Sequence, residues 1–86
     1  MQYIDILRKR LLYQSQHRGM KEMDVILGEF GQQAFQNMSP EELRQFEELL
    51  AFPDQELYGW FFEGTSLPEN APRELIEQID HFIKNR

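Results

Sequence analysis

Cysteine is absent from this chain of 86 residues. Its absence removes disulfide staples, a thiol nucleophile and cysteine-ligated zinc together, and it accords with a reducing compartment. Long apolar runs are missing as well. The opening ten residues interrupt their apolar positions with Asp5, Arg8, Lys9 and Arg10, so neither a secretory signal nor a membrane span is expected there. Basic charge is scarce: nine Lys and Arg stand against fifteen Asp and Glu, giving a net charge of −6. A nucleic-acid binder needs a basic patch to neutralise phosphates. The basic cluster Arg8-Lys9-Arg10 is expected to form the wet side of an amphipathic helix instead, and no nucleic-acid partner is predicted.

Parts for chemistry are equally thin. Ser15, Ser39 and Ser66 fall in a helix, a cap and a loop, and the two histidines, His17 and His81, do not complete a nucleophile–base pair with them. Gln14 and Gln78 stand where a di-iron bundle would place the glutamates of its Glu-x-x-His pairs. The chain carries no glycine-rich phosphate loop and no nucleotide fingerprint. It is therefore not expected to be an enzyme, and no cofactor or metal is predicted.

What the sequence does contain is helical periodicity, with no alternating strand pattern. A first helix is predicted from Tyr3 to about Gln16, burying Ile4, Leu7 and Leu11 with Tyr3 and Ile6 beside them. A third carries an explicit start: Ser39 as N-cap, Pro40 at the first helical position and Glu42 closing a capping box. Met38 and Leu43 are placed for the hydrophobic staple, Leu43, Phe46, Leu49 and Leu50 face inward, and the helix stops before Pro53. A short fourth helix is predicted to start on Asp54 as N-cap and to contribute Leu57, Tyr58, Phe61 and Phe62, with Gly64 breaking it. So short a helix cannot bury every side, which leaves Tyr58, Trp60 and Phe62 as candidates for partial exposure. The fifth is predicted from near Asn70, with Leu75, Ile76, Ile79, Phe82 and Ile83 on one stripe. His81, Lys84 and Arg86 lie near its C-terminus, where cations are favoured. The expectation is an all-α protein, a small five-helix bundle forming a single domain over residues 1–86.

The second helix carries the densest motif, Arg18-Gly19-Met20-Lys21-Glu22-Met23-Asp24. Read as helical from Arg18 to Ala34, the segment places Met20, Met23, Leu27, Phe30 and Ala34 on one seam, in alternating steps of three and four. Arg18, Glu22 and Glu29 then project from the opposite side, with Lys21 and Asp24 on its shoulder. Arg18 and Glu22, spaced i, i+4, become neighbours. Val25 joins this outward face, and Gly28 also falls off the seam. Gly19 has two open roles: a left-handed residue ending the first helix, or a bare backbone position where another chain approaches closely. Trp60 likewise serves either as a core wedge or as an interface anchor.

Arg-Gly-Met-x-Glu-x-Asp on the second helix resembles the motif of the succinate dehydrogenase assembly factor 2 family, the small flavinylation factors called SdhE in bacteria. A second stretch agrees. Leu49-Leu50, then Asp54, Leu57 and Trp60, is similar to the family's Leu-Leu, acidic-x-x-Leu-x-x-Trp pattern. The resemblance runs from about Leu7 to Phe82. It departs at His17, where many members have a basic residue, and at Gly64-Thr65-Ser66-Leu67-Pro68, a slightly reworked loop.

The resemblance implies an assembly chaperone that promotes covalent attachment of FAD to the flavoprotein subunit of succinate dehydrogenase, and of fumarate reductase. The bond forms to a histidine within the flavoprotein, so FAD is the partner's ligand. Arg18 and Glu22 would make charge-assisted contacts to the flavoprotein. Gly19 would permit close approach, and Met20, Lys21, Asp24 and Val25 would complete the patch. Mitochondrial members need a transit peptide, and the opening residues show none, so a bacterial cytoplasmic protein is expected. The alternative carried alongside is an antitoxin-like, protein-binding half of a toxin–antitoxin pair, a role also described for relatives.

Overall fold

The apolar spacing closes into five helices, and the computed structural model describes residues 3–85 of them and their connections. Helix α1 spans Tyr3–Gln16, α2 Lys21–Ala34, α3 Pro40–Leu50, α4 Asp54–Tyr58 and α5 Arg73–Lys84. A 3₁₀ turn, Phe35–Asn37, extends α2, and a π-helical turn, Gly59–Glu63, extends α4. No strand occurs among the described residues. Arg86, expected at the C-terminal dipole, lies outside them, whereas His81 and Lys84 do occupy the last turn of α5.

Helices α1 and α2 form a hairpin, and α3 packs across α1 while α5 closes over α2 and α3. Leu7 and Leu11 of α1 enter a core built with Met23, Leu27, Phe30, Leu43, Phe46, Leu49, Leu57, Leu75 and Ile79. Phe46 is fully buried, with Phe35 edge-on at 4.7 Å and Phe30 stacked at 6.0 Å between ring centroids. Offset and edge-to-face pairs of this kind add about 0.5–1.5 kcal/mol beyond the area they bury. Ile4 is half-buried, and Tyr3 and Ile6 are exposed, as flanking positions should be. Ser15, buried on α1, donates its Oγ–H to the Leu11 carbonyl at 2.7 Å and so buries no unpaired hydroxyl.

The capping box is present. Ser39 Oγ accepts from the Glu42 N–H at 3.2 Å, and the Glu42 carboxylate accepts from the Ser39 N–H at 3.0 Å. Met38 and Leu43 are both buried beside it.

Several expectations change. α2 begins at Lys21, not Arg18, because Met20 is extended (φ −105°, ψ 124°) and serves as its N-cap. α2 is covered by α1, α4 and α5, so its buried face is wider than one seam and takes in Ile26 and Gly28. A Cβ on Gly28 would stand 2.9 Å from Gln16 Cγ, so this glycine lets α1 and α2 approach. The N-cap of α4 is Pro53, and Asp54 is its first helical residue. α5 starts at Arg73 after a Pro68–Ala71 turn, three residues later than expected. Arg8 is not on a wet face. Its Nε donates to the Phe35 carbonyl at 2.9 Å and its Nη2 to the Met38 carbonyl at 3.2 Å, with the side chain 21% exposed. Gly64 ends the π turn in the left-handed region, φ 70°, as a chain-breaking glycine should.

Candidate functional site

The motif folds as a loop leading into a helix, and that division decides what each residue does. Arg18 lies in the loop, with its side chain turned inward. Its Nε pairs with Asp54 Oδ1. Its Nη1 donates to the Leu50 carbonyl at 2.8 Å and its Nη2 to the Phe52 carbonyl at 2.7 Å. The Leu50 carbonyl ends α3, which has no basic residue of its own in its last turn, and the Phe52 carbonyl lies two residues beyond it. A helix-end carbonyl lacks a partner within the helix and carries the negative end of its dipole, so a guanidinium from outside satisfies both needs at Leu50. The pair is mostly buried, with the side chains of Arg18 and Asp54 14% and 15% exposed.

Two carboxylates hold the loop backbone. Asp54 Oδ2 accepts from the Met20 N–H at 2.9 Å, and Asp24 Oδ1 accepts from the Arg18 N–H. Asp24 is thus half-buried and engaged within the chain. Met20 is half-buried against the core. The expected Arg18–Glu22 pair does not form, because the break at Met20 takes Arg18 off the helix and the guanidinium follows Asp54. Gly19 is exposed, and its φ is not positive, which removes the left-handed capping role. A Cβ built there would meet only Asp54 Oδ2, at 3.8 Å, an ordinary contact. Its outer side is open.

Glu22 and Lys21 are exposed on the first turn of α2, together with Val25 at 42%. Across from them stand Tyr58 of α4 and Phe62 of the π turn, the latter 43% exposed, with rings 4.9 Å apart. These side chains and Ile26 line an open groove of about 410 Å³. A second groove, about 530 Å³, is lined by Tyr13, His17, Arg18, Gly19, Leu50 and Asp54 among others. There the His17 ring stacks on Tyr13 at 3.9 Å. Trp60 belongs to neither. It is half-buried, edge-on to Phe52 at 4.9 Å, beside the Thr65–Pro68 loop. The structure therefore brings Lys21, Glu22 and Val25 into one groove, puts Arg18 and Gly19 at another, and separates Trp60 from both.

The element missed from sequence is Asp54 as the counter-ion of Arg18, and Tyr58 and Phe62 as the far wall of the α2 groove. The available signal was the acidic residue following Pro53, opposite in sign to the motif arginine. The arrangement offers a rigid face of apolar and charged groups. Among the described residues no cluster of His, Asp and Glu is placed to hold a metal ion.

Residues 9–83 match the family model described as the flavinator of succinate dehydrogenase. The chain belongs to this family. Its relatives bear the name succinate dehydrogenase assembly factor 2, mitochondrial. The Dictyostelium discoideum protein is 37% identical over 82 residues, covering 95% of this chain and 58% of that protein. The Danio rerio protein is 38% identical over 85 residues, covering 96% and 54%. The Kluyveromyces lactis protein is 34% identical over 87 residues, covering 96% and 53%. The chain spans about half the length of the curated relatives it matches. Among the described residues, no helix is long and apolar enough to cross a membrane. The family match extends over both motif stretches, from the Arg18 loop through Trp60, and so includes the Arg18–Asp54 pair.

Proposed function

We propose that this protein promotes covalent attachment of FAD to the flavoprotein subunit of succinate dehydrogenase, and of the related fumarate reductase, as an assembly factor without catalysis of its own. The match of residues 9–83 to the flavinator family carries this reading. The composite face supports it: Lys21, Glu22 and Val25, with Tyr58 and Phe62 across the groove, join exposed apolar area to a charged rim, and the exposed Gly19 lies in the loop that leads into α2. Desolvated aromatic anchors ringed by polar groups are the usual source of protein–protein affinity. A factor of this kind accelerates flavinylation by holding the flavoprotein in its reactive arrangement, an orientation effect that requires no acid–base group from the factor. Trp60, on its separate groove, is a second proposed contact. The cytoplasmic location expected from the sequence is part of the same proposal, and imaging of a tagged copy checks it.

The test is covalent flavin fluorescence of the flavoprotein band in denaturing gels, from cells with and without this gene. Loss of fluorescence in the deletion and its return on complementation are expected. Equal fluorescence in both strains would overturn the reading. Variant Phe62→Asp, exposed in the free protein, is expected to fold and to abolish capture of the flavoprotein.

A further inference from the structure

We infer that Asp54 is the positioning residue of the contact face, and that Arg18 acts by gripping it instead of touching the flavoprotein. The inference rests on the flavoprotein-binding reading and adds to it a division of labour within the motif. All three guanidinium nitrogens of Arg18 are engaged inside the chain, on Asp54 and on the Leu50 and Phe52 carbonyls. A partner would have to break those bonds to recruit it. Asp54 uses both oxygens, one on the arginine and one on the Met20 N–H. A single carboxylate thereby holds residues on either side of Gly19 and fixes the backbone that the glycine exposes.

The same carboxylate sits on the first residue of α4, the helix that leads to Tyr58 and Phe62. Through the Met20 N–H it ties the start of α4 to the start of α2. This sets the wall bearing Tyr58 and Phe62 against the wall bearing Lys21, Glu22 and Val25. Loss of either charge releases both walls, so the two residues act as one unit, and units of this kind show strongly non-additive mutations.

A double-mutant cycle on partner affinity tests this. Wild type, Arg18→Ala, Asp54→Asn and the double variant are titrated against purified flavoprotein subunit, at a temperature where circular dichroism shows each fully helical. Each single variant is expected to weaken binding about tenfold, and the double variant to be no more than about threefold worse than the weaker single. Additive losses, or an Asp54→Asn variant that binds like wild type while Arg18→Ala does not, would mean that the arginine contacts the partner itself. Amide hydrogen exchange in the free protein gives a readout that needs no partner. The Met20 N–H is expected to exchange about tenfold faster in Asp54→Asn while Leu27 is unmoved, and an unchanged Met20 rate overturns the inference. Should wild type fail to bind the flavoprotein, the functional reading fails, and the Met20 exchange still decides whether Asp54 positions the loop.

Discussion

Truncating Arg18 to alanine is expected to unfold this protein at a markedly lower temperature, although the motif reads in sequence as a surface charge. The side chain is only 14% exposed and makes hydrogen bonds to Asp54, Leu50 and Phe52. Its removal leaves a carboxylate, itself 15% exposed, without a counter-ion and strips the Leu50 and Phe52 carbonyls of a donor. Breaking a buried ion pair costs about 3–5 kcal/mol, and a hydrogen bond to a charged group is worth about 1.5–3 kcal/mol. Because water reaches both groups slightly, we expect a loss of about 2–4 kcal/mol. At this chain length 1 kcal/mol shifts Tm by about 4–8 °C, so Tm should fall by roughly 8–32 °C. Thermal and urea denaturation followed by circular dichroism measure this, with Leu27→Ala as the core reference at about 2–5 kcal/mol. Glu22→Ala, exposed on the neighbouring turn, should stay within about 0.5 kcal/mol of wild type. An Arg18→Ala variant that melts with Glu22→Ala would refute the clamp.

Three further outcomes are expected. Gly19→Ala and Gly19→Arg should both leave the free domain folded, since φ there is not positive and the outer side is open; pull-down of the flavoprotein should weaken in order of side-chain size, and wild-type capture by Gly19→Arg would remove this loop from the contact face. Gly64→Ala should destabilise the domain by about 1 kcal/mol in chemical denaturation, because its φ of 70° strains any side chain even where space is free. Isothermal calorimetry of the isolated protein with FAD should show no saturable binding at micromolar concentration, as the sequence carries no phosphate-cradling loop; a stoichiometric titration would instead indicate cofactor delivery.

Local signals in the sequence were enough for α1 and α3, and for α5 apart from its start. The Ser39–Glu42 capping box is written within four residues, and the inward stripe of α5 follows from its own spacing. The errors sit where a residue answers to something distant. Arg18 leaves the helix for a carboxylate 36 positions away, and helical spacing cannot anticipate that. Asp54 had a local option as N-cap and a non-local one as counter-ion, and the buried arginine with the Met20 N–H won. Gly28 fell off the predicted seam because a single seam assumes one neighbour, whereas α2 has three helices around it. At the candidate site, Lys21, Glu22 and Val25 were legible as an outward set. Their opposing wall was not, since Phe62 joins Tyr58 there only through the π turn, a widening with no reliable sequence signal.

Arg8 and Arg18 have a joint consequence for the dynamics of the molecule. One reaches the Met38 carbonyl just before α3 begins, and the other the Leu50 and Phe52 carbonyls where it ends. Both belong to the α1–α2 hairpin and its turn, so a single substructure grips the third helix at its two extremities. Sub-global opening usually frees a peripheral helix by melting its ends first. Here neither end of α3 can fray without withdrawing a guanidinium from the hairpin. The two units are therefore expected to exchange with solvent as one, which amide hydrogen exchange checks, so that a protease requiring an unfolded α3 would wait for the whole domain to open.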